Sequence, residues 1–304
     1  MQKFDRRELL GGTLAGAVAA GLHTAVTAEN VPAAAPRMQR AANEQVRRVI
    51  DTNVSLFQWP FRRLPLSETD ALTGKLRSRG IHQAWAGSFE GLLHRDIAGV
   101  NSRLAEECRR HGRDVLIPFG TVNPTLPDWE EDLRRCAEEH HMPGIRLHPN
   151  YHGYTLDIPE FARLLRLASE RHLVVQLVAA MEDQRTQSTL LHIADVDLTP
   201  LAEIVRQIPT VKLVILNHKA TGTTFTSLVK TPGIYFDISR VNATDGVARV
   251  MRTLPADRVV FGTHAPFLIY ESAMIKVYES ELTEPEMSAV LCQNAELLIS
   301  QTQV

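Results

Sequence analysis

Two histidines that close separate apolar runs are the strongest candidates for chemistry in this sequence. His218 ends the run Leu-Val-Ile-Leu-Asn-His, and His264 ends the run Val-Val-Phe-Gly-Thr-His. Two imidazoles with a carboxylate or amide oxygen could hold one Zn²⁺, Fe²⁺ or Mn²⁺ ion and leave a position open for water. The other interpretation is a hydrogen-bonded pair of histidines that serves substrate binding or packing. His218 is a residue of the site under either interpretation.

Arg146 and His148 form a second candidate pair, in the run Gly-Ile-Arg-Leu-His-Pro. Side chains two residues apart share one face of a strand. A buried arginine could grip a substrate carboxylate with two hydrogen bonds. The imidazole of His148 could act as a general acid or base, because it titrates near neutral pH. For Arg146, pairing with a buried acid such as Asp51 is an equally good interpretation.

A third polar group lies in residues 49–55, which read Val-Ile-Asp-Thr-Asn-Val-Ser. The alternation of a strand predicts that Asp51, Asn53 and Ser55 share one face. Neutral amide and hydroxyl oxygens are poor zinc ligands beside imidazole. Asn53 and Ser55 are therefore candidates for substrate binding.

The elements that must position these side chains alternate between short β-rich runs and helical runs, which predicts an α/β fold with a parallel sheet. Eight such units within one domain predict closure into a single (β/α)8 TIM barrel. The predicted strands are Val49–Asn53, Ile81–Ala86, Val115–Val122, Gly144–His148, Val174–Ala180, Lys212–Asn217, Ile234–Ile238 and Arg258–Gly262. The predicted helices are Glu68–Arg79, Asp96–His111, Asp128–His140, Ile158–Arg171, Thr199–Gln207 and a region from Tyr270 onward that breaks near Glu284.

This pattern resembles the amidohydrolase-related (amidohydrolase 2) family of metal-dependent hydrolases and decarboxylases. In that family the first strand ends in His-x-His, the sixth in His and the eighth in Gly-Ser-Asp-x-Pro. Here the first motif is Asn53-x-Ser55, the aspartate is replaced by His264, and only His218 matches unchanged. A family histidine of the fifth strand falls on Val178 or Gln176. The resemblance therefore implies one divalent metal ion or none, because most of the ligand positions are substituted.

In such barrels the active residues lie where strands end and loops begin. Asp237 ends the seventh strand, matches a common family aspartate and could orient a neighbouring histidine. The loop after His148 contributes the aromatic Tyr151, and the loop after the second strand contributes Glu90. The catalytic candidates are His218, His148, His264 and Asp237, and the substrate-binding candidates are Arg146, Asn53, Ser55, Glu90, Gln176 and Tyr151. The aromatic residues Trp59, Phe61 and Trp85 are expected to close the top of the barrel.

The first 28 residues predict an export signal rather than a part of the fold. An arginine pair, Arg6 and Arg7, precedes an apolar stretch that ends at a small-residue cleavage site, Ala28, as in twin-arginine signals. Residues 29–42 are predicted to be a linker, and residues 43–304 the barrel. We therefore expect a periplasmic or extracellular protein that meets the twin-arginine export machinery transiently and has no stable membrane insertion after cleavage.

The charge pattern argues against nucleic acid as a partner, because the formal net charge is −2 and no run of like charge occurs. We expect an exported hydrolase that cleaves a C–O, C–N, lactone or C–C bond of a small carboxylated or hydroxylated substrate. With a metal, His218 and His264 would hold the ion; without one, His148 or His218 would activate water and Arg146 would hold a carboxylate. The alternative is a non-catalytic protein that binds a small molecule on a degenerate barrel of this family.

Overall fold

The computed structural model describes residues 48–300. The predicted export signal and linker, residues 1–42, lie outside the described residues, so both stay predictions. Within residues 48–300, no helix is long and apolar enough to cross a bilayer.

Eight parallel strands follow one another around the sheet in the order in which they occur in the chain. They are β1 Val49–Leu56, β2 Ile81–Ser88, β3 Leu116–Thr121, β4 Gly144–Leu147, β5 Val174–Val178, β6 Lys212–Leu216, β7 Ile234–Asp237 and β8 Val259–Val260. Beyond β8, the chain joins β1 through the amide of Thr52, which donates to Phe261 O at 2.9 Å. The amide of Ser55 likewise donates to Ala265 O at 2.9 Å. The strands thus form a nearly closed barrel of the (β/α)8 type, as the alternating pattern predicts.

Helices surround this barrel. They are α1 Thr69–Ser78, α2 Ile97–His111, α3 Trp129–Glu138, α4 Pro149–His152, α5 Pro159–Glu170, α6 Leu201–Arg206, α7 Gly222–Val229, α8 Gly246–Thr253, α9 Tyr270–Glu279, α10 Glu284–Ser288 and α11 Asn294–Ser300. Local signals explain where several begin: the Asp96 carboxylate caps α2 by accepting from Gly99 N at 2.9 Å. Thr283 and Glu286 form a capping box at the start of α10.

Three helices were not predicted from the sequence. The run Pro149–His152 was expected to be loop, but it forms the single turn α4 directly after β4. Helix α7 was missed because its sequence, Gly-Thr-Thr-Phe-Thr-Ser-Leu-Val, has a weak helical signal. Helix α8 was missed although its buried residues Val247, Val250 and Met251 recur at helical spacing. Burial of Phe225 and Leu228 against the barrel stabilises α7 in spite of this low propensity.

The interior of the barrel holds its own apolar cluster, separate from the layer between strands and helices. Trp85 stacks on Phe119 with ring centroids 4.8 Å apart inside the barrel, so the expectation that Trp85 closes the top is wrong. Ala295 and Leu298 of α11 belong to the same interior cluster. The Asn294 side chain donates to Val259 O at 2.8 Å and ties α11 to the start of β8. These contacts close one end of the barrel and leave its other end, where the strands terminate, for polar side chains. We call that other end the mouth.

Candidate site at the mouth of the barrel

One side of the mouth carries a closed hydrogen-bond network, which we call the amide–carboxylate network, made by Asn53, Asn217, Asp237 and Ser239. The amide nitrogen of Asn53 donates to Asp237 Oδ2 at 2.7 Å and to Asn217 Oδ1 at 2.8 Å. The backbone amide of Asn217 donates to Asp237 Oδ1 at 2.9 Å, and the Ser239 hydroxyl donates to Asn217 Oδ1 at 2.9 Å. All four side chains are buried. The network joins β1, β6 and β7, and the Asn217 side chain also donates to Ala180 O at 2.8 Å.

Asp51 extends this side of the mouth toward β8. Its carboxylate accepts from the amides of Asn53 (3.0 Å) and Thr263 (2.9 Å) and from the Thr263 hydroxyl (2.5 Å). Burial raises the pKa of Asp51 to about 6, although these hydrogen bonds act in the opposite direction. Burial also raises the pKa of Asp237. Two carboxyl groups therefore hold the ends of β1, β7 and β8 together from inside.

Arg146 reaches across the interior of the barrel from β4. Its Nε donates to Gln176 Oε1 at 2.8 Å, and its Nη1 donates to Val54 O at 2.7 Å and to the Ser55 hydroxyl at 3.3 Å. Its Nη2 donates to Trp85 O at 2.9 Å and approaches Thr52 O at 3.5 Å. Burial lowers the pKa of the guanidinium to about 10, so it stays charged at neutral pH.

The crossing of Arg146 depends on Gly87, because a Cβ atom there would lie 2.7 Å from Arg146 Nη1. The side chain of Gln176 is also hydrogen-bonded within the protein, since its amide nitrogen donates to Thr52 O at 2.6 Å. Arg146 therefore lies at the centre of the predicted site, but all of its N–H groups already have protein acceptors. Its role in holding a substrate carboxylate stays a prediction.

His264 lies fully within the mouth at the end of β8, on left-handed backbone (φ 59°). Its Nε2 donates to Met181 O at 2.6 Å, which leaves the lone pair on Nδ1. The ring stacks on Phe267 with centroids 4.8 Å apart. Burial lowers the pKa of His264 to about 3, so the imidazole is neutral at physiological pH and is a weak base.

His218 lies at the end of β6 and is half-buried. Its Nδ1 accepts from the amide of Ala220 at 2.9 Å, so the neutral ring carries its proton on Nε2. Phe225 and Phe236 flank the ring at 5.8 and 5.9 Å. Burial lowers the pKa of His218. His218 therefore presents an N–H donor toward its free edge, not a lone pair.

The opposite side of the mouth differs, because buried polar atoms there have no protein partner within residues 48–300. Three of them are Thr121 Oγ1, His148 Nδ1 and His152 Nδ1, and we call these three residues the unpaired cluster. His148 and His152 have ring centroids 6.1 Å apart. His152 Nε2 donates to Gly91 O at 2.8 Å, and a Cβ on Gly91 would lie 2.3 Å from Thr121 Oγ1, so Gly91 connects the cluster. Burial holds the pKa of His148 well below its ordinary value.

Aromatic side chains cover the mouth. Trp59 packs against Phe61, Phe89, Tyr151 and Phe267, with ring centroids between 4.8 and 6.2 Å apart. This arrangement fits the expectation for Trp59 and Phe61 and places the candidate Tyr151 in the cover, directly after His148. We call these five residues the aromatic cover.

Glu90 turns away from the other candidates. Its carboxylate accepts from Arg103 Nε of α2 at 2.8 Å. It lines a separate cavity of about 490 Å³ together with Phe57, Glu68 and Glu107. The structure thus brings His148, His218, His264, Asp237, Asn53, Ser55, Arg146, Gln176 and Tyr151 to the mouth and leaves Glu90 at its edge.

The donor set at the mouth does not fit a metal ion. Within residues 48–300, no three side chains of His, Cys, Asp or Glu are arranged to hold one. A ligating imidazole needs a free lone pair, but that of His218 faces the Ala220 amide. Both oxygens of the Asp237 carboxylate already accept hydrogen bonds, from Asn53 Nδ2 and from the Asn217 amide. Only His264 keeps an imidazole lone pair on this side, and one ligand makes no site.

A family model for amidohydrolases matches residues 58–299 of the chain. The chain belongs to the amidohydrolase family. The resemblance inferred from its strand-end residues is therefore confirmed, as is the barrel that this family implies. A search of curated protein sequences finds no match to this amidohydrolase-family chain.

Solved structures with a similar fold include several decarboxylases. A 5-carboxyvanillate decarboxylase from Novosphingobium aromaticivorans, complexed with manganese and 4-hydroxy-3-methoxy-5-nitrobenzoic acid, has a TM-score of 0.67 at 16% identity, over 84% of this chain and 97% of that chain. A 2,6-dihydroxybenzoate decarboxylase from Rhizobium has a TM-score of 0.63 at 14% identity, over 84% and 98%. A dihydroxybenzoic acid decarboxylase from Polaromonas, with bound manganese and 2-nitroresorcinol, has a TM-score of 0.65 at 11% identity, over 85% and 98%. At these identities the likeness shows the fold alone.

Sequence reasoning missed several residues that build the site. Asn217 and Thr263 immediately precede the two predicted histidines, and they hold the buried acids that order this side of the mouth. The signal that could have found them is their place at a strand end, where any polar side chain of a parallel barrel meets the others. Thr121 was hidden within a predicted strand, and only its missing partner marks it.

Proposed function

We propose that this amidohydrolase-family chain binds a small hydroxylated molecule at the mouth of its barrel without a metal ion. The observation that carries this proposal is the buried Nδ1 of His148, which has no partner among the described residues. A buried polar group without a hydrogen bond costs about 1–3 kcal/mol. A ligand hydroxyl would recover that cost with either tautomer of His148, because a hydroxyl can both donate and accept.

Two further observations support binding of a ligand on this side of the mouth, with His148 as a hydrogen-bonding partner and not as an acid or base. The Thr121 hydroxyl is also buried and unpaired, so the ligand would meet more than one polar group on this side. Burial holds the pKa of His148 well below neutral, and an imidazole with so low a pKa is a weak general base. His148 in this role is a neutral hydrogen-bonding partner.

A second candidate function is metal-independent cleavage of the same bound molecule, as a lyase or hydrolase. The observation that favours it is the Nε2–H of His218, which is available at the half-buried end of β6. A neutral imidazole N–H can polarise a carbonyl oxygen. Several of the structures with a similar fold are decarboxylases of hydroxylated aromatic acids, so such acids are the first substrates to test.

The test is calorimetric titration of chelator-treated protein with phenol and 2-hydroxybenzoate. We expect wild type to bind phenol and His148→Leu to bind it about 10-fold more weakly, the loss of roughly one hydrogen bond. His82→Leu, a change at an exposed position of β2, should bind like wild type. Equal affinity of wild type and His148→Leu, or no binding of phenol by wild type, would remove His148 from the site.

Turnover is measured separately, by following 2-hydroxybenzoate and a simple aromatic lactone by NMR in the chelator-treated protein. Product formation that is lost in His218→Ala would establish the second candidate. Binding without product, in wild type and at long incubation, would leave recognition as the function for these compounds.

We also propose that the chain is exported through the twin-arginine route and works outside the cytoplasm. The support is the arginine pair Arg6 and Arg7 ahead of an apolar stretch and the small residues up to Ala28. N-terminal sequencing of the exported protein should find a start near Glu29. Replacing both arginines by lysine should retain the protein in the cytoplasm. An exported form that begins at Met1 would contradict cleavage.

A further inference from the structure

Arg240 is a charged residue of the mouth that none of the strand-end patterns singled out. It follows β7 by three residues, so it lies at the same end of the barrel as His264. Its side chain is half-buried, and its Nη1 atom is buried without an acceptor within residues 48–300. Arg146, the arginine that the sequence favoured for a ligand, has acceptors for all of its donors. Of these two arginines, only Arg240 has a buried nitrogen without an acceptor among the described residues.

The carboxylate that interacts with Arg240 is already engaged by another arginine. The nearby Asp183 carboxylate is held by Arg185, which donates from Nε at 2.9 Å and from Nη2 at 2.8 Å. Lys276 is buried beside Asp237 and donates to Ser239 O. Burial is the main cause of the lowered pKa of Lys276 and of His264, and the charge of Arg240 lowers both pKa values further. Asp237 offsets part of the charge of Lys276, but Arg240 still repels Lys276, and an anion beside Arg240 would reduce that repulsion.

We propose that Arg240 binds an oxyanion of the ligand, a carboxylate or a phosphate, on the β7–β8 side of the mouth. This inference rests on the proposed function in that the ligand binds at the same mouth. A planar guanidinium with a free, buried N–H fits an oxyanion, because it can donate in a fork and is weakly hydrated. The anion would also offset the repulsion between Arg240 and Lys276. The ligand would then carry a hydroxyl toward His148 and an anionic group toward Arg240.

The experiment compares the binding of three probes, phenol, 2-hydroxybenzoate and phenyl phosphate, by calorimetric titration of the whole mature protein, which is predicted to begin near Glu29. In wild type we expect both anionic probes to bind more tightly than phenol. Arg240→Gln should weaken the anionic probes by about 10- to 100-fold, the loss of one charge-assisted hydrogen-bonded contact, and leave phenol unchanged. Arg240→Lys keeps the charge without the fork and should fall between the two. The larger loss, on carboxylate or on phosphate, tells which oxyanion the site prefers.

The matched control is Arg252→Gln, which removes an exposed arginine of α8 that pairs with Asp245. It should keep the wild-type preference for anions. An unchanged preference in Arg240→Gln, equal loss of phenol and anions in that variant, or no preference in wild type would overturn the assignment. The variant His148→Leu separates the two proposals. If His148→Leu binds phenol as tightly as wild type, the proposed role of His148 is wrong. The proposed role of Arg240 still stands in that case if Arg240→Gln abolishes the preference for anionic probes.

Discussion

The two sides of the mouth differ in how completely their buried polar groups are paired. On the side of β1, β6, β7 and β8, the residues of the amide–carboxylate network are hydrogen-bonded to one another, and Asp51 is hydrogen-bonded to Thr263. On the side of β2, β3 and β4, the unpaired cluster leaves three buried polar atoms without partners among the described residues. The first side includes the positions at which the family resemblance places metal ligands. Side chains there now hold strand ends together, so recognition of a ligand is expected on the other side and at Arg240.

The largest expected effect comes from opening the paired side with Asp237→Ala. This change leaves one N–H of the Asn53 side chain and the backbone N–H of Asn217 without an acceptor. Two buried donors without partners should lower the free energy of unfolding by about 2–6 kcal/mol. Chemical denaturation at neutral pH measures the loss. The exposed change Glu203→Ala should leave stability unchanged, and a similarly small effect of Asp237→Ala would show that this side is not a closed network.

The pH dependence of stability tests Asp51 in the same network. Its folded-state pKa of about 6 lies above the ordinary value of 3.8, so the folded state holds the proton more tightly. The stabilisation from that proton is complete below the unfolded-state pKa and is lost as the pH rises through about 6. The free energy of unfolding of wild type, relative to that of Asp51→Asn, should therefore fall by on the order of 3 kcal/mol between about pH 4 and about pH 7. A difference between the two proteins that stays constant with pH would contradict this assignment.

A smaller effect is expected on the unpaired side. His148→Leu removes a ring nitrogen that has no partner and keeps an apolar side chain of similar size, so the free energy of unfolding should change by less than about 1.5 kcal/mol. The matched variant His264→Leu loses the bond to Met181 O and the stacking on Phe267 and should be clearly less stable. If the two substitutions lower the free energy of unfolding equally, the proposed contrast between the two sides of the mouth is wrong.

The smallest expected effect is that of metal. Adding Mn²⁺ or removing metal with a chelator should leave the melting temperature unchanged, because the lone pair of His218 and both oxygens of Asp237 are already engaged. A metal that bound the folded state would raise the melting temperature with its concentration. Such a rise, lost in His264→Ala, would show that the paired side reopens to take an ion.

Much of the fold could be predicted from the sequence, because its strands are strongly apolar and its helices amphipathic. The predicted bounds differ from the observed ones by a residue or two at most ends, but β1 continues three residues beyond its predicted end, to Leu56. Helix α7 could not be predicted because packing of Phe225 and Leu228, not local propensity, stabilises it. Tertiary contacts of this kind leave no local sequence pattern, so a helix that depends on them cannot be predicted from the sequence alone.

The residues of the candidate site were predicted better than their roles. Strand ends brought Asn53, Asp237 and His264 to the mouth, as a barrel requires. The direction of each hydrogen bond was not visible in the sequence, and it decides whether His218 offers a lone pair or a proton. Arg240 was missed because an arginine in a loop is usually a solvated one, and only its buried nitrogen distinguishes it.

The guanidinium of Arg146 also bears on how the chain folds. From β4 it joins carbonyl oxygens of β1 and β2 and the side chain of Gln176 on β5. A fragment that lacked any of these strands would bury a cation with acceptors missing, which is strongly unfavourable. A stable half-barrel intermediate is therefore disfavoured, and β1, β2, β4 and β5 should assemble in one cooperative step, with Arg146 entering the interior only as the ring of strands closes.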